Sequence, residues 1–141
     1  METEKNDSYR KLQIETADPL SLVVMLYDRA IVLLDKANKE ILEKDYEAKN
    51  ISLTKATNIV FELLVTLDKE KGGEIATSLA RLYNFVIREI TDANANLNTK
   101  ALDNAKRIMS ELRESWVSIK DDPGIELNNT SNTITNIDLS G

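Results

Sequence analysis

The stretch Asp18 to Leu34, DPLSLVVMLYDRAIVLL, decides the fold, because it opens as a helix and then carries more apolar surface than one helix of a small bundle needs for its own core. Asp18 can cap a helix by accepting a hydrogen bond from a free backbone N–H, and Pro19 stands at the first helical position, where its missing N–H costs nothing. From there Leu20, Val23, Val24, Tyr27, Ile31, Leu34 and Ile41 recur at spacings of three and four, on one helical stripe that reads as core. At roughly 100° per residue, Leu22, Leu26 and Leu33 fall on a flank away from the centre of that stripe, and Met25 and Val32 fall further round. The apolar arc spans about 200°, twice the ~100° of a one-sided helix. Such a helix is either wrapped by its own chain or keeps a surface for another.

Outward from this stretch the same grammar repeats. The first helix runs to about Glu43, with Lys36, Lys39 and Lys44 toward its negative end. Asp45 reads as the cap of a second helix, about Tyr46 to Leu67, whose core stripe is Leu53, Ala56, Val60, Leu63, Leu64 and Leu67. Phe61 and Val65 pair at i, i+4 on a different side of it. Gly72 and Gly73 then announce a break, since glycine supplies the left-handed backbone of a helix exit. A third helix, about Glu74 to Ala95, carries Ile75, Leu79, Leu82, Tyr83, Val86, Ile90 and Ala93 at helical spacing, with Phe85 and Ile87 outside the stripe. Asn94, Asn96 and Asn98 mark a turn, because asparagine competes for backbone hydrogen bonds. The fourth helix, about Lys100 to Lys120, uses Leu102, Ala105, Ile108, Met109, Leu112, Trp116 and Ile119, and Pro123-Gly124 stops it.

These readings predict an all-α, antiparallel four-helix bundle over residues 18–120, preceded by a short N-terminal arm (residues 1–17) and followed by a polar tail (residues 121–141). The sizeable apolar groups of the arm are Tyr9, Leu12 and Ile14, which suit either a segment lying on the bundle or a frayed terminus. The tail is rich in Asn, Thr and Ser and reads as disordered, with Ile134, Ile137 and Leu139 as the alternative, a short docking motif.

Composition narrows the function classes. A chain of 141 residues supports one domain with a real core, and its net charge of −6, with Lys and Arg scattered among acids, argues against nucleic acid or an anionic membrane as partner. The polar start has no apolar signal region and no run approaches ~18 apolar residues, so a cytoplasmic protein with no membrane insertion is expected. There is no Cys and no His, which removes thiolate chemistry, the commonest general base and the commonest transition-metal ligand. No phosphate-cradling or calcium-binding motif occurs. Carboxylates such as Glu111 with Glu114, or Asp121 with Asp122, are indistinguishable from a solvated face. Arg81 with Arg88, and Arg107 with Arg113, are the residues that a small helical enzyme would use to grip an anion, but the core stripes contain almost no charge to build a polar pocket. No catalysis, no cofactor and no metal are expected.

Tyr9 ahead of Thr16-Ala17-Asp18-Pro19, Met25-Leu26-Tyr27-Asp28 with Ala30-Ile31, Ala37, Leu67-Asp68, Gly72-Gly73-Glu74-Ile75-Ala76, Leu79, Leu82-Tyr83, Ala93-Asn94, and Leu112-Arg113 followed by Trp116 stand in an order and spacing that resemble the FliS family of flagellin export chaperones. The resemblance covers about Tyr9 to Trp116. Arg29 departs from it, standing where the family's motif usually has a small residue, and the tail after Pro123 lies outside the pattern. The resemblance implies a cytoplasmic four-helix bundle that binds the C-terminal segment of newly made flagellin, which is disordered when free and folds into helices around the chaperone. Premature polymerisation is thereby blocked and the cargo is presented to the flagellar type III export apparatus, with an export-gate component as a second partner. The family's N-terminal segment, through the residue matching Tyr9, can lie over part of the cargo surface.

A cargo that orders on binding needs a long apolar surface rather than one deep pocket, and its amphipathic helices would lie in grooves between bundle helices. The expected surface comprises Leu22, Met25, Leu26, Val32 and Leu33 on the first helix, Phe61 and Val65 on the second, and Phe85 and Ile87 on the third, with Tyr9 from the arm. Tyr27, Tyr83 and Trp116 are expected to be structural. The alternative use of the same surplus surface is a homodimer, or capture of a different regulatory protein; the free chain is expected to be a monomer or a weak homodimer.

Overall fold

A computed structural model describes residues 19–67 and 69–121, together with Ile134, Ile137 and Leu139. Four helices follow one another: α1 (Pro19–Leu42), α2 (Tyr46–Val65), α3 (Lys69–Asn96) and α4 (Thr99–Asp121). No strand occurs among the described residues. Asp18, the expected cap of α1, lies outside them, as do Tyr9 and the rest of the arm.

The turns explain where each helix stops. At the end of α1, the Asp45 N–H donates to the Glu40 carbonyl (2.9 Å) and the Lys44 N–H to the Ile41 carbonyl (3.0 Å), the paired bonds of a Schellman motif. Lys44 occupies its left-handed position at φ 61°, where glycine is the usual residue. Asp45 then caps α2 by accepting from the Ala48 N–H at 3.2 Å. Between α2 and α3 the two glycines divide the work. Gly73 takes φ 52° and kinks the chain, so the regular part of α3 starts at Glu74 as the sequence suggests. Gly72 has a close neighbour, since a Cβ there would stand 2.7 Å from the Ala76 Cβ. In the Asn-rich turn, Asp92 accepts from the side-chain amides of Asn96 (2.6 Å) and Asn98 (2.8 Å), and the Asn98 side-chain oxygen caps α4 through the Ala101 N–H at 3.2 Å.

Each helix packs on the next, and α4 closes the ring against α1. The cross-links run in opposite senses along neighbouring helices, as antiparallel packing requires. Asp28 pairs with Arg113 and Asp35 with Lys106 (2.8 Å) between α1 and α4, while Asn104 donates to Glu89 (3.2 Å) between α4 and α3. At the opposite end from the glycine turn, Ser52 donates to Glu40 at 2.6 Å, and the buried Lys49 ammonium donates to the backbone and side-chain oxygens of Asn94 at 2.9 and 2.8 Å. These bonds give the buried Glu40, Lys49 and Ser52 the partners that burial demands.

The core is a single cluster contributed by all four helices. On α1 its centre is Tyr27, Ala30, Leu34, Ala37 and Ile41, with Leu33 enclosed as well, whereas Val23 and Ile31 are only partly buried. The stripe is thus turned toward Ala30 and Ala37, because small side chains let α2 and α4 approach closely and enclose the flank that carries Leu33. Three residues from beyond α4 join the cluster: Ile134 and Ile137 are buried and Leu139 packs against it. These are the three residues named above as the alternative, a short docking motif; the rest of the tail, which the sequence reads as disordered, lies outside the described residues.

Candidate interaction surface

Of the ten residues expected to meet a partner, the nine described ones occupy three kinds of environment. Met25 and Val32 on α1, and Phe61 and Val65 on α2, are exposed, Val65 at 80% and Val32 at 55%. Leu22 is half-buried, and Leu26, Phe85 and Ile87 are partly buried against the core. Leu33 retains 3% of its surface and belongs to the core. Tyr9 falls outside the described residues.

Helix geometry brings some of these together and keeps others apart. A shallow cleft of about 150 Å³ runs between α2 and α3, lined by Leu53, Thr54, Thr57 and Asn58 on one side and Ile90, Thr91 and Asn94 on the other. Phe61 follows Thr57 and Asn58 by four and three residues, and Ile87 precedes Ile90 and Thr91 by three and four. Both therefore continue the two walls of the same groove toward the middle of the bundle. Met25 and Val32, seven apart, form a separate ridge on α1. Phe85 lies on the flank of α3 that also carries Glu89, four residues on, and Glu89 is bonded to α4. The expected surface is thus a set of ridges and grooves around the bundle rather than one patch.

Four exposed apolar residues stand outside the expected set: Leu42, Tyr46, Ile51 and Leu97. Leu42, Tyr46 and Leu97 flank the two turns at one end of the bundle. The sequence signal was their place just beyond the last or before the first residue of a core stripe, where a helix end turns an apolar side chain out of the core.

At the other end, where α1 and α3 begin and α2 and α4 finish, an open apolar pocket of about 350 Å³ is lined by Val23, Leu63, Thr66, Leu67, Ile75, Ala76, Leu79, Tyr83 and Trp116 with the backbone at Gly72. Its polar atoms are spoken for. Tyr83 and Tyr27 share a hydroxyl–hydroxyl hydrogen bond, and the Trp116 indole N–H donates to the Tyr27 hydroxyl at 3.0 Å. Burial pushes the Tyr27 phenol well above its usual range and that of Tyr83 up to about 12, so both remain protonated and act as structural links. The structural role expected for Tyr27, Tyr83 and Trp116 is the one they hold.

The candidate anion-gripping arginines are not organised as a site. Arg113 is engaged by Asp28 and Arg107 lies 3.8 Å from Glu111, while Arg81 and Arg88 point outward from α3. Among the described residues no group of acids could hold a metal ion, and no helix is long and apolar enough to cross a membrane. What the surface offers is apolar contact along grooves.

The family model described as flagellar protein FliS matches residues 1–123 of the chain. The flagellar secretion chaperone FliS of Salmonella typhimurium is 36% identical over 117 residues, covering 79% of this chain and 87% of the relative. That of Vibrio cholerae is 32% identical over 116 residues, covering 79% and 85%, and that of Bacillus subtilis 30% identical over 109 residues, covering 77% and 80%. Similarity over nearly the whole helical region places the chain: it belongs to the FliS family of flagellar secretion chaperones, which are not enzymes.

Proposed function

We propose that this protein is a cytoplasmic export chaperone for flagellin. It holds the C-terminal segment of flagellin as helices laid along its grooves, which keeps the subunit from polymerising, and delivers it to the flagellar type III export apparatus. The observation that carries this reading is the apolar surface left over after the core is complete: Met25, Val32, Phe61 and Val65 are exposed on two adjacent helices of a chain belonging to the family of flagellar secretion chaperones. Exposed apolar ridges on two adjacent helices suit a client that wraps the bundle. Binding of a disordered client spends ordering entropy against a large buried area, so the interaction depends on the length of surface offered. Leu22 and Leu26 stand beside Met25 on α1 and Ile87 faces Phe61 across the α2–α3 groove, so client helices lying there would meet them; Phe85 would meet the client on the other flank of α3, and Tyr9 would close over it from the arm.

Calorimetric titration with a peptide of the C-terminal ~40 residues of flagellin from the same organism tests the reading, a length chosen because coupled folding buries a large surface. Saturable binding near one to one, with a large negative heat-capacity change, is the expected result. Absence of binding at high micromolar peptide rejects it and assigns the exposed surface to a homodimer, which sedimentation at several concentrations would reveal.

A further inference from the structure

Helix α1 exposes Met25, Arg29, Val32, Lys36 and Lys39 at successive spacings of four, three, four and three, an outward stripe about 21 Å long. Its three cations are the only ones of the helix, and none is in an ion pair among the described residues. The three acids of α1 are all taken up within the chain. Asp28 is held by Arg113 and Asp35 by Lys106 (2.8 Å), both from α4, and the buried Glu40 accepts from the Ser52 hydroxyl at 2.6 Å. A chain of net charge −6 thus presents on this stripe uncompensated positive charge alternating with apolar side chains. The neighbouring helices differ. α2 exposes Glu47, Lys55 and Glu62, of mixed sign, and the outward arginines of α3, Arg81 and Arg88, have Asn84 between them in place of an apolar residue.

A helix laid along the α1 stripe meets it as one strand of a coiled coil meets another, with apolar groups on Met25 and Val32 and its charged flank beside Arg29, Lys36 and Lys39. Cations that their own chain leaves unpaired repel a basic segment. A segment with Asp or Glu at the matching three- and four-residue spacing is drawn in and fixed in register. We infer that the part of the client seated on α1 is an acidic amphipathic helix, selected and aligned by Arg29, Lys36 and Lys39. The inference rests on the client reading proposed above and adds the chemical class of segment that α1 takes. Solvent reaches all three cations, so their pull is screened by salt, while the apolar contacts of Met25 and Val32 are not.

The test titrates the full-length chain with the flagellin C-terminal peptide at about 50 and about 500 mM sodium chloride, beside a variant carrying Arg29→Gln, Lys36→Gln and Lys39→Gln. The unmodified protein should bind about tenfold more tightly at the lower salt; the triple variant should lose about that factor there and bind alike at both. Glutamine is as good a helix former as lysine or arginine, so circular dichroism should not change. Arg29→Gln alone is the milder variant should the triple one lower helicity, and it should give a smaller loss of the same sign. Arg81→Gln with Arg88→Gln removes two cations from α3 and should leave affinity and its salt dependence as they were; a loss equal to that of the triple variant would overturn the assignment to α1. Binding by the unmodified protein that ignores salt, or a triple variant as tight as the unmodified protein at low salt, would overturn the acidic class while leaving the client reading intact. Binding of the peptide to none of these proteins at either salt would overturn both.

Discussion

Tyr27 and Tyr83, 56 residues apart in the chain, are joined hydroxyl to hydroxyl beside the end pocket, and the Trp116 indole N–H closes onto the first of them. Three helices are thereby tied at one point. Tyr27→Phe removes the acceptor of Trp116 and a partner of Tyr83 together, leaving two polar groups unsatisfied. The expected loss is about 1–3 kcal/mol, against about 1 kcal/mol for Tyr83→Phe, where Tyr27 keeps its bond to Trp116. Urea unfolding followed by the fluorescence of Trp116, the chain's one tryptophan, measures both.

The same pair gives the bundle an alkaline limit. A phenol whose folded-state pKa lies above its unfolded value of about 10 is favoured in its protonated form by folding, so its contribution is complete below about pH 10. It is lost as the pH rises toward the folded value, which for Tyr83 is about 12. Stability should therefore fall between about pH 10 and 12, on the order of 2 kcal/mol, with tyrosinate absorbance rising in step with unfolding. The double variant Tyr27→Phe, Tyr83→Phe should be less stable at pH 7 and should lose less on going alkaline.

Exposed and enclosed members of the expected surface should separate in experiment. Phe61→Asp and Val65→Asp change residues that solvent already reaches, so unfolding should shift by no more than about 0.5 kcal/mol, while affinity for the flagellin peptide falls at least about tenfold. Leu33→Ala should do the reverse in its first effect, costing about 2–5 kcal/mol of stability through the cavity it leaves. Loss of fold in Phe61→Asp would place Phe61 in the core and remove it from the surface.

Backbone conformation at two turns predicts changes of opposite sign. Lys44 bears the cost of a left-handed φ that glycine does not, so Lys44→Gly should raise stability by about 0.5–1 kcal/mol. Gly73→Ala imposes that cost at the kink into α3 and should lower stability by about 1 kcal/mol or more. Gly72→Ala should be as harmful for a different reason, since its methyl would press on Ala76. Thermal denaturation of the three variants under one buffer ranks them.

Much of this was legible in the residue order. Asp45, the glycine pair and the Asn run stop and start helices by local chemistry, and the helix bounds they imply are those observed to within a few residues. The centre of the α1 stripe was less legible. Periodicity locates an apolar arc but not the direction from which neighbours press on it, and here Ala30 and Ala37 draw them in so that Leu33 is enclosed. Leu26, for the same reason, is packed against the core on the flank that reads as free, so an aspartate there should weaken the fold as well as any binding. The burial of Ile134 in the core cluster is a tertiary contact, which no local pattern encodes.

The ring closes only when α4 meets α1, and Asp28 and Arg113 are separated by 85 residues. A ribosome adding about 5–20 residues per second needs roughly 4–17 seconds to make that span. Helix bundles fold in microseconds to milliseconds once their parts are present. Synthesis, not folding, therefore sets when a new molecule becomes competent, and for those seconds the α4-facing side of α1 stands open to any apolar segment being made nearby.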